Sequence, residues 1–119
     1  MSRKRLVYLL ALVCALATFG SGEPSHAQTA SAHISVIAPA FSPDSEEATA
    51  FRKGLRAAGF VEGRNVSIDW WFGNGVYTGV EHAVEAAVGG KPDVIVVEST
   101  VAALAAQRAT RTIPIVMAT

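Results

Sequence analysis

Along this chain the spacing of hydrophobic residues switches repeatedly between strand-like and helix-like periods. His33 to Ala40 (HISVIAPA) carries Ile34, Val36 and Ile37 and is halted by Pro39, which predicts a strand. Beyond it, Ala48, Phe51, Leu55 and Ala58 recur at three- and four-residue spacing, one apolar face of a helix. Ser42 followed by Pro43, or Asp44 with Glu47 three residues on, suits the start of that helix, and Gly59 suits its end. Val66, Ile68, Trp70 and Phe72 then alternate with Asn65, Ser67, Asp69 and Trp71, a strand with one greasier face and a place near a sheet edge. Gly73-Asn74-Gly75 breaks it.

A second helix is predicted through Val80, Val84, Ala87 and Val88, with Thr78 and Glu81 spaced as a capping box and Gly89-Gly90 and Pro92 closing it. Val94 to Val97 is an uninterrupted apolar run, the pattern of a central strand covered on both faces. A third helix over Val101 to Arg108 follows, then TIPIVMAT (Thr112 to Thr119) as a fourth strand. Strands alternating with helices in this way predict an α/β fold: a partial open parallel sheet with flanking helices. A chain of this pattern that stops at a fourth strand is expected to be truncated, and no internal repeat or linker divides it.

The first 27 residues follow a different pattern. Arg3, Lys4 and Arg5 precede the apolar run LVYLLALVCALATFG, and Ser25-His26-Ala27 places small residues where a signal peptidase reads. The run is about fifteen residues, short of the ~20 that span a bilayer as a helix. A signal peptide over 1–27 is therefore expected, cleaved after Ala27 or secondarily after Ala30, with the only cysteine, Cys14, lost with it. The remaining 28–119 is expected to be periplasmic and to be held by its core without a disulfide.

Charge and motif content narrow the function. The bases left after the signal are Arg52, Lys53, Arg56, Arg64, Lys91, Arg108 and Arg111, set against a slightly larger number of acids. They form no basic stripe, so no nucleic-acid partner is expected. No nucleophile elbow, phosphate-binding loop or paired-histidine metal motif is present, so no cofactor, metal or catalytic residue is expected. His33 and His82 read as surface residues, and Glu46, Glu47, Glu81 and Glu85 as solvated or capping carboxylates.

What remains is the carboxyl edge of the sheet, where open parallel α/β sheets bind ligands at helix N-termini. That edge would hold Phe41, Ser42 and Pro43 after the first strand, and Phe72 to Gly75 after the second. Glu98, Ser99 and Thr100 would follow the third, and Ala118 and Thr119 the fourth. Ser99 and Thr100 suit a helix cap and a ligand contact alike, and Glu98 would repel a carboxylate and welcome an ammonium group.

Two stretches carry a resemblance. The run F-R-x-G-L-x-x-x-G-[FY]-x-E-G-x-N (Phe51 to Asn65) and the D-V-I-V…A-A-L-A-A…A-T-x-T-I-P-I-V stretch (Asp93 to Val116) resemble the substrate-binding proteins of ABC transporters, the group with tryptophan- and tyrosine-binding members. Glu98 departs from that pattern, where the residue is more usually small, and the helix around Val80 to Val88 is less similar than its neighbours. The resemblance implies a type I periplasmic binding-protein lobe, here its N-terminal portion, and uptake of a small organic solute such as an amino acid. It also implies an ABC permease in the inner membrane as partner. Ligand contacts would come from Phe41, Ser42, Phe72, Asn74, Ser99 and Thr100, with Glu98 beside them. The alternatives are a gene fragment without binding activity, and a small exported α/β enzyme using Glu98 or Asp69 as acid or base.

Overall fold

The computed structural model describes residues 31–118. The expected signal peptide, Cys14, both cleavage positions and Thr119 lie outside the described residues. Within them the chain runs β1 (Ala32–Ala38), α1 (Glu46–Ala57), β2 (Val66–Phe72), α2 (Val80–Gly89), β3 (Val94–Val97), α3 (Thr100–Ala109) and β4 (Ile115–Met117). The four strands form one sheet in the order β2-β1-β3-β4, and every pairing is parallel. Among the described residues no helix is long and apolar enough to cross a membrane.

The alternation of side chains along each strand sorts the core into two halves. Ile34, Val36 and Ala38 of β1, Val66 of β2, Val94 and Val96 of β3 and Val116 of β4 share one face with Leu55 and Phe60. Ile37, Ile95 and Val97 point to the other, against Val80, Ala83 and Val84 of α2 and Ala102, Ala105 and Ala106 of α3. The apolar run of β3 is thereby explained: all four residues are buried, two against each layer. β2 lies at a sheet edge, as its polar alternation predicts.

Local chemistry fixes the helix ends. Leu55 and Phe60 close α1 in a Schellman arrangement: the Phe60 N–H donates to the Leu55 carbonyl at 2.9 Å, and Gly59 N–H to Arg56 at 3.0 Å. Gly59 takes φ +92, which a glycine adopts without a Cβ penalty.

Two expected starts are corrected. The N-cap of α1 is Ser45 rather than Ser42 or Asp44: its backbone is extended and its Oγ accepts the Ala48 N–H at 3.2 Å. Ser42 instead offers its carbonyl to the Ser45 N–H, making the turn that precedes the helix. The Thr78/Glu81 capping box of α2 does not form, because Gly79 occupies the N-cap at φ 93 with no side-chain cap. The Glu81 carboxylate accepts a hydrogen bond from Arg108 of α3, joining the two helices that share a face.

Candidate functional site

The strand order places a topological switch point in the sheet. From β1 the chain moves out to β2 on one side, then crosses back over β1 to β3 and continues to β4. The connections leaving β1 and β3 therefore diverge on opposite faces, opening a crevice outside their carboxyl ends. Parallel packing also brings the N-termini of all three helices to this edge.

Three loops meet over the end of β1. Those after β1 and β2 are laced by backbone bonds: Gly73 N–H to the Ala38 carbonyl at 3.0 Å, Asn74 N–H to Phe41 at 3.0 Å, and Gly75 N–H to Pro39 at 2.9 Å. Gly73 is required there, since a Cβ would lie 2.4 Å from both the Pro39 and Val76 carbonyl oxygens. Asn74 and Gly75 follow with φ of 52 and 86. The third loop is tied in by Glu98, whose Oε1 accepts the Ala40 N–H at 3.1 Å while its own N–H donates to Ile37 at 3.3 Å.

All seven sequence-predicted site residues therefore lie at one edge, but they are not equivalent. Phe41 and Phe72 pack against the α1 half of the core. Phe72 is also stacked on Trp70, with ring centroids 4.9 Å apart and planes 9° from parallel. Phe51 meets Trp70 edge-on, and the Arg52 guanidinium lies 4.6 Å above the Trp70 ring. Ser42 is half-buried in the β1–α1 loop, and Asn74 is exposed.

Ser99 is the N-cap of α3, with Oγ accepting the Ala102 N–H at 3.2 Å; its hydroxyl hydrogen is still a donor. Thr100, the first helical residue, is exposed. The N–H groups of Thr100 and Val101 have no partner in the helix, as first-turn donors never do. The site therefore offers hydroxyls and amide donors from α3, a carboxylate from Glu98, and aromatic edges from β1 and β2.

Sequence reasoning missed two features of this edge. The Ala40 N–H that donates to Glu98 carries no side-chain signal. Val76 and Tyr77, 55% and 44% exposed, form an apolar tip between β2 and α2. Their signal was available, as two large apolar residues flanked by turn-forming Asn74, Gly75 and Gly79.

The opposite, amino edge holds a second polar group. His33, expected to be a plain surface residue, has Nε2 2.6 Å from Asp69 Oδ2 on the neighbouring strand. Its backbone N–H donates to Asp93 Oδ2 at 2.7 Å and its carbonyl accepts the Asp93 N–H at 2.8 Å. His82 is exposed, as expected. Among the described residues no three His, Cys, Asp or Glu side chains are placed to hold a metal ion.

No protein-family model and no curated protein matches the chain. Solved structures do. The ligand-free, open structure of CD0873, a substrate binding protein with adhesive properties from Clostridium difficile, superposes with a TM-score of 0.64 at 29% identity, over 72% of this chain. A conserved domain protein from Vibrio cholerae O1 biovar eltor superposes with a TM-score of 0.61 at 33% identity, over 73% of this chain. The match covers 30% of each solved chain. The α/β architecture described above is that of a substrate-binding-protein lobe.

Proposed function

We propose that the chain is the N-terminal portion of the first lobe of an exported solute-binding protein serving an ABC importer. Residues 1–27 act as its cleaved signal peptide, and 28–119 work in the periplasm, where they hold a small organic solute and hand it to an inner-membrane permease. The observation that carries this reading is the convergence of three strand-end loops on the β1/β3 switch point, with hydroxyls, amide donors and a carboxylate at one edge. The likeness to a substrate binding protein at 29% identity supports it. No catalytic step is assigned, and Glu98 and Asp69 act through hydrogen bonding and charge rather than as acid or base.

A lobe of this kind contributes one wall of a cleft. Clefts bury most of a ligand between facing surfaces, so a wall alone binds weakly and the second wall supplies much of the affinity. The test is NMR titration of the isotope-labelled chain with amino acids, sugars, polyamines and small carboxylates. The expected result is saturable shifts confined to the amides of Ala40 to Ser42, Gly73 to Val76 and Glu98 to Val101. A folded chain that responds to no solute, or responds only at the amino edge, overturns the reading.

A further inference from the structure

We infer that Glu98 is the specificity-determining residue of this site and selects solutes carrying a cationic nitrogen; the inference rests on the solute-binding reading above. Glu98 is the only charged side chain among the residues placed in the site. It stands at the end of β3 on the switch point itself, half-buried. Oε1 takes one neutral donor, the Ala40 N–H, and no cation among the described residues pairs with the carboxylate.

None of the bases among the described residues pairs with Glu98. Arg52 reaches the β1–α1 loop, but its guanidinium is taken up by the Pro43 carbonyl, Glu62 and the Trp70 ring. Arg108 is held by Glu81. Arg56, Arg64, Lys91 and Arg111 lie in last turns and loops of the amino edge, and Lys53 is exposed in the body of α1, past its middle. The acids at the carboxyl edge besides Glu98 are Asp44, Glu46, Glu47 and Glu81, placed in or beside first turns where the helix dipole favours them. A solute entering the crevice thus meets one half-buried carboxylate that no cation among the described residues pairs, with the other acids of the edge set at the helix starts. A cationic nitrogen gains both a hydrogen bond and an ion pair there, a neutral hydroxyl gains the hydrogen bond alone, and a carboxylate is repelled.

The bond to Ala40 gives Glu98 a second, purely positional task, and the two tasks separate by substitution. Glu98→Gln keeps an oxygen to accept the Ala40 N–H and removes the charge; Glu98→Ala removes both. The probes are three solutes of one shape: 2-phenylethylamine, 2-phenylethanol and phenylacetate at pH 7, titrated into the full chain and both variants by NMR. The native chain should bind the amine about ten- to a hundredfold tighter than the alcohol, the scale of a charge-assisted hydrogen bond. It should bind phenylacetate weakest of all. Glu98→Gln should remove the amine preference over the alcohol while the Ala40 amide resonance stays in place. Equal affinity for amine and alcohol in the native chain, or an amine preference that survives in Glu98→Gln, overturns the inference. Silence toward all three probes while other solutes bind overturns it too and leaves the solute-binding reading standing. Silence toward every solute overturns both.

Discussion

Gly73 shows how one residue can hold a site together. It is the point where the loops after β1 and β2 pass closest, with the Pro39 and Val76 carbonyl oxygens occupying the place of a side chain. Gly73→Ala must push the two loops apart, which is overpacking against backbone and costs about 1–3 kcal/mol. Urea unfolding should register that loss, and the Asn74 amide, bonded to the Phe41 carbonyl, should lose hydrogen-exchange protection first. Ser99 has a smaller and separable task. Ser99→Ala removes the cap from α3 and should destabilise the chain by roughly 1 kcal/mol. Ser99→Asp restores a capping oxygen and should recover most of that loss in the same unfolding measurement.

Between elements, the α2/α3 layer rests on small residues. Ala102, Ala105 and Ala106 have almost no exposed surface, so α3 lies close against the sheet and its neighbour. Ala105→Leu adds three carbons to a filled space and should cost about 1–3 kcal/mol, read as a lowered urea midpoint with an unchanged slope. The Arg108–Glu81 pair across the same helices is mostly exposed, at 60% and 66% of the side chains, so solvent screens it. A double-mutant cycle there should return under about 1 kcal/mol, falling further in 0.5 M salt. Packing, not charge, holds this layer.

Those same helices mark what a linear pattern can and cannot convey. The apolar face of α1 and its Gly59 terminus, the four buried residues of β3 and the alanine spacing of α3 all depend on near neighbours, and periodicity exposed them. Thr78 and Glu81 have the spacing of a capping box, yet Gly79 between them turns the chain at positive φ and takes the cap position. Glu81 was then free for a partner 27 residues away, which no local pattern encodes.

For the molecule as a whole, the parallel α/β class followed from alternation, whereas the order β2-β1-β3-β4 did not. Strand order depends on which nonadjacent segments pair, and parallel pairing leaves no turn signature to read. The carboxyl edge was legible as a candidate site because every βαβ unit puts its helix start there. The lacing of its loops was not, since it consists almost wholly of backbone donors and acceptors.

Because of that lacing, the crevice has a place in time as well as in space. The Ala40–Glu98 bond closes a span of 58 residues and the His33–Asp93 bond one of 60, while β1 and β2 align at an offset of little more than half that. Loop closure of this length makes β1–β3 pairing the slow, high-contact-order part of folding. β1 pairs with β2 on one edge, and its other edge stays unpaired until Val94 to Val97 are in place. The carboxyl-edge crevice therefore needs β3 as well as β1, and a chain stalled before β3 carries the first two loops without the third.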